Sequence, residues 1–113
     1  MGFRFEFNWV LKLKKEQGLP ENPMVGEVYD FFKEGTRVYP IGVPIDLVSG
    51  KWESVAKIMV IEARQDGLNT IGKFKIIKRF AGIEKEMITY YWRESIEMQL
   101  GRKIEDWSDA RVS

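Results

Sequence analysis

Four cations and two rings form the most chemically suggestive pattern in the chain. Lys73, Lys75 and Arg79 alternate with Phe74, Ile76 and Phe80, the spacing of a strand with one wet and one apolar face. Lys57 stands on the apolar stretch before it, and Tyr39 and Trp52 supply rings nearby. A cationic strand face beside aromatic planes can track a phosphate backbone and stack bases, so the ligand it suits is RNA or another phosphate-bearing molecule. The plainer reading is that these side chains keep a strand face wet and guard its edge. With 18 basic and 17 acidic residues the net charge is +1, so no cationic excess favours a polyanion.

A second cluster, Tyr90, Tyr91 and Trp92, has a different chemistry. Rings with one polar end are favoured anchors at protein interfaces. The trio is therefore the candidate protein interface, and a second copy of the chain, giving a homodimer, is one partner it suits. Four Trp exceed what a core of this size needs, although burial in that core is the plainer use of any one of them.

Other chemistry is restricted by what is absent. Without Cys and His the chain has no thiol nucleophile, disulfide or imidazole base, and it lacks the usual zinc ligands. Asp46, Glu53, Glu62 and Asp66 are scattered without the spacing of a calcium loop. Gly35, Gly42 and Gly50 lack the Lys-Ser/Thr that completes a phosphate-cradling loop. No catalytic, metal or cofactor residue is assigned. A carboxylate pair acting as acid and base is the one enzymatic route left, and it ranks behind a binding module and a protein-interaction module.

Period-2 alternation of Phe3, Phe5, Phe7, Trp9, Leu11 and Leu13 predicts a strand over 3–14 that buries these residues. Gly and Pro punctuate residues 15–26, an exposed connection. Residues 27–32 fit a strand or one helical turn. Residues 37–48 read as extended chain bending at Gly42 and becoming a strand near 45–48, with Pro40 and Pro44 confined to edges or strand starts. Residues 52–62 and 70–80 form a hairpin about Asp66-Gly67, with a bulge or frayed end at Lys78. The stretch 83–100 is open to either reading. As a helix, which we favour over 84–94, it puts Met87, Ile88, Tyr91, Trp92, Ile96 and Leu100 on one broad face. Gly101 ends it, and Ile104 and Trp107 pin a tail over 102–113.

The run Arg37-Val38-Tyr39-Pro40-Ile41-Gly42-Val43-Pro44-Ile45, with Trp52, Val55-Ala56-Lys57-Ile58, Glu62 and Gly72-Lys73-Phe74-Lys75-Ile76, resembles a small family of unknown function from Gram-positive bacteria. More loosely, the same segments resemble PUA-like barrels, among them ASCH domains and the N-terminal domain of Lon proteases. That resemblance implies five or six strands closing, or nearly closing, around a core, and roles in binding RNA or handling unfolded protein. It carries over no catalytic residue.

The expected fold is therefore α+β: one domain over 1–113, mainly a small antiparallel β-barrel or strongly curled sheet, with one or two helices. No apolar run is long enough to cross a membrane, and no leader pattern is visible at Met1, so the cytoplasm is the expected location.

Overall fold

The computed structural model describes residues 6–107. Seven strands and one helix follow in order: β1 (Glu6–Phe7), β2 (Val10–Leu13), β3 (Val28–Glu34), β4 (Arg37–Val38), β5 (Pro44–Ser49), β6 (Ser54–Asp66), β7 (Asn69–Arg79) and α1 (Gly82–Leu100), with a 3₁₀ turn at Lys15–Gln17. Five strands form one sheet in the order β2-β5-β6-β7-β3. Its pairs are antiparallel except β2 with β5.

The strongly curled sheet, rather than the closed barrel, is what forms: among the described residues β2 and β3 are its two edges and do not pair with each other. The curl still brings them close. Lys33 on β3 donates to the Lys12 carbonyl of β2, and β1 and β4, which precede β2 and follow β3, make a separate two-stranded parallel ladder. The 3₁₀ turn backs onto the edge of β3. Gly18, at φ +107°, lies so close to the Asp30 carbonyl that a side chain there would collide with it. A covered edge does not recruit further strands.

Alternation sends Leu11, Leu13, Ile45, Leu47, Ala56, Ile58, Val60, Phe74 and Ile76 into one concave core with Phe31 and Tyr39. Gly72 is required there, because a Cβ would strike the Phe31 ring and the Glu62 carbonyl. Pro44 begins β5, where no ladder N–H is lost, and Gly42 makes the preceding bend at φ +71°. The β6–β7 hairpin turns through Gly67, at φ +64°, and Leu68.

Three expectations are corrected. The first strand is interrupted at Asn8 and Trp9, where the alternation slips: Asn8 is buried and Trp9 is 59% exposed. Its first residues, 3–5, lie outside the described residues. Strand β6 begins at Ser54, so Trp52 belongs to the turn before it. Finally, the helix spans 82–100, longer than 84–94, and ends where Gly101 takes φ +72° and donates to the Glu97 carbonyl.

Candidate functional site

The basic strand face comes apart under the register. Cross-strand partners share a face of the sheet. Ile58 lies opposite Ile76, but Lys57 lies opposite Lys78 and Ala56 opposite Arg79, so β7 bulges between Ile76 and Lys78. The bulge expected at Lys78 thus exists, and its effect is to turn Arg79 away from the face that carries Lys73 and Lys75. Arg79 instead donates to Asn22 Oδ1 at 3.0 Å.

The remaining cations are largely matched by acids. Lys73 sits between Asp30 and Glu62 in the ladder and bonds Asp30 at 2.8 Å. That hydrogen bond and the Asp30 charge raise its pKa. Lys57 pairs with Asp46 at 2.5 Å, while Lys75 is flanked by Val28 and Met59. Both rings assigned to this face are core residues, a correction to the expectation that they are accessible: Tyr39 is 5% and Trp52 1% exposed. Tyr39 meets Phe31 edge-on, and Trp52 packs against Val48, Ile96 and Trp92.

Trp52 occupies an unusual position. The turn from Ser49 to Glu53 closes with Trp52 N–H on the Ser49 carbonyl, and it places Trp52 at φ +60°, a conformation glycine adopts freely and a bulky side chain does not. The indole N–H meets no acceptor among the described residues. Lys12 lies over the ring at 5.2 Å. Burial, aided by the charges of Lys14 and Arg37, lowers the Lys12 pKa from 10.5 to about 8.

Helix α1 crosses the opposite face of the sheet from the main core. Ser54 is the principal anchor: its hydroxyl donates to the Lys85 carbonyl at 2.8 Å and its N–H to Thr89 Oγ1 at 2.9 Å. Trp92 Nε1 donates to Asp46 Oδ2 at 2.8 Å, so one carboxylate holds both Lys57 and the helix. Arg93 grips the Lys51 carbonyl and lies over the Trp107 ring. Ile104 and Trp107 pack against this layer, pinning the tail as expected through residue 107.

With that docking, the aromatic trio divides. Trp92 is half-buried, whereas Tyr90 and Tyr91 are 67% and 61% exposed. The single broad apolar face expected of the helix is in fact two. Residues 88, 92 and 96 face the sheet; at 100° per residue, 83, 87, 90, 91, 94 and 98 gather on the far side. Ile83, Met87 and Met98 join the two tyrosines there, all strongly exposed. Sequence reasoning placed Met87 on the helix's one apolar face and did not put Ile83 or Met98 there. The signal that could have found them is that apolar residues occupy opposite sides of one helix, while a single sheet can cover only one side.

Glu94 lies within the stripe and accepts from Tyr90, which together with its charge raises the tyrosine pKa. Along one flank runs an open groove of about 690 Å³ between Tyr90, Arg93, Glu53 and Trp107.

Comparison with solved structures places this fold beside a bacterial protein. The chain is similar to protein ytmB from Bacillus subtilis, with a TM-score of 0.58 and 25% identity over 71% of this chain and 95% of that one. A Bacillus relative accords with the Gram-positive resemblance read from the sequence. No protein-family model matches the chain, and no curated protein does.

Among the described residues no three Asp or Glu side chains gather as a metal site, and no helix is long and apolar enough to cross a membrane.

Proposed function

We propose that the protein is an interaction module that docks another protein chain on the outer face of α1. One observation carries this reading: a 19-residue helix buries only Ile96, while five large apolar or aromatic side chains on its far side are 61–74% exposed. Contiguous apolar surface of several hundred Å² is uncommon on a monomer and marks a contact site. The body of the protein is meanwhile assembled without that face, since Ser54, Asp46 and Lys51 hold the helix from beneath.

The phosphate-binding reading ranks behind it on physical grounds. With Tyr39 and Trp52 buried, the strand face loses both rings expected to stack bases. Asp30 and Asp46 also occupy two of the three cations that remain on it, Lys73 and Lys57.

Site-specific photocrosslinking tests the proposal. A benzophenone side chain replacing Tyr91 in the producing cells is expected to give a discrete protein adduct. The same group at Leu68, which is 84% exposed on the hairpin tip, should give none. Equal labelling at both sites, or no adduct at Tyr91, would overturn the docking surface.

A further inference from the structure

We infer that Met87 and Met98 are oxidation sites, and that a hydroperoxide acting on them switches the outer face of α1 from a docking to a non-docking form. This rests on the docking reading and adds the regulation of that surface.

Position singles the two out. The chain has five methionines, of which Met1 lies outside the described residues. Met59 sits in the β6 ladder between Pro44 and Lys75 and is half-buried. Met24 is 51% exposed, but its sulfur accepts from Asn22 Nδ2 at 3.7 Å. Met87 and Met98 are 65% and 74% exposed. They also fall within about 20° of each other around the helix axis, with Tyr91 and Glu94 between them along it. Both side chains therefore stand near the midline of the stripe that a docked chain must cover.

The chemistry follows from that placement. A thioether sulfur attacks one oxygen of hydrogen peroxide; the O–O bond breaks, an S–O bond forms, and the other oxygen leaves as water with both protons. Sulfur loses two electrons and the peroxide gains them, so no further reagent is required. The product replaces a flexible apolar side chain, suited to following a partner's surface, with a polar one. A sulfoxide oxygen covered by an apolar partner gives up its hydrogen bonds to water, so each oxidation weakens docking. Neither side chain is buried against the sheet, where Ile96 alone of the helix is, so the fold is left as it was. Methionine sulfoxide reductases reverse the step.

Two measurements test this. Peptide mass mapping of the purified full chain in dilute hydrogen peroxide should show one oxygen added at Met87 and at Met98 before Met59, with an unchanged melting temperature. In producing cells that carry the benzophenone at Tyr91, a brief peroxide pulse should reduce the photoadduct by about tenfold. The double variant Met87→Leu, Met98→Leu should keep its adduct through the same pulse. Equal loss in the double variant would place the sensitivity in the partner or at Met24 and overturn the switch. Oxidation of Met59 ahead of both would also overturn it, as would an adduct that survives the pulse with both sulfoxides formed. Absence of any adduct before the pulse would instead remove the docking reading, and the switch with it.

Discussion

The strand face of β7 and the outer face of α1 both read as binding surfaces in the sequence, and the fold treats them in opposite ways. On the strand, Lys73 and Lys57 meet Asp30 and Asp46, and the nearby rings turn inward. On the helix, the side that meets the sheet is held by Ser54, Asp46 and Lys51, and the apolar side beyond it stands exposed among the described residues. Cations in a sequence are a poor guide to surface potential when acids arrive beside them from other strands. An apolar residue on the wrong side of a docked helix has no equivalent means of compensation.

The contrast depends on Trp52 being structural and on the cations beneath α1 being internal. The largest expected effect is that of Trp52→Ala. Loss of a fully buried ring should destabilise the fold by about 4 kcal/mol, in chemical denaturation, even though alanine also dislikes the positive φ. Stability unchanged by that substitution would return Trp52 to the list of ligand-facing rings.

Next in size is a pH effect. Lys12 sheds its proton near pH 8 in the folded chain and near 10.5 in the unfolded one. Between these values the unfolded state binds more protons, so stability should rise with pH through that window. Melting temperatures measured across it should climb for the wild type and lose that contribution in Lys12→Met.

The smallest effect separates Trp92 from its tyrosine neighbours. Trp92→Phe keeps a ring but removes the N–H bonded to Asp46, which should cost about 2 kcal/mol because the acceptor is charged. A neutral result in the same denaturation assay would place Trp92 with the exposed pair.

Much of the fold was legible because local chemistry dictated it. Gly42 and Pro44 located the start of β5, Asp66-Gly67 located the long hairpin, and the break in alternation at Lys78 located a bulge. What stayed hidden depended on residues distant in sequence. Nothing near Trp52 announces that a tryptophan fills a glycine-like turn position, since its compensation comes from Ile96 and Trp92 on the helix. Trp9 fits the alternation of its neighbours, yet the slip at Asn8 follows from the pairing of Glu6 and Phe7 with Arg37 and Val38, and of β2 with β5. The helix stripe was half visible: its residues were noticed, but which side the sheet would cover depends on Ser54, Thr89 and Asp46.

The parallel pair of the five-stranded sheet, β2 with β5, has a consequence for the order in which the molecule forms. Strands β5, β6 and β7 meet through short turns and close little entropy-costing chain. Strand β2 must wait for a partner far along the sequence, with all of β3 and β4 looped between them. The meander is therefore expected to form first and β2 to join late, although synthesis delivers it early. On that order Leu11 and Leu13 travel uncovered until β5 exists, and the vulnerable interval in the life of this protein is the time between making β2 and making β5.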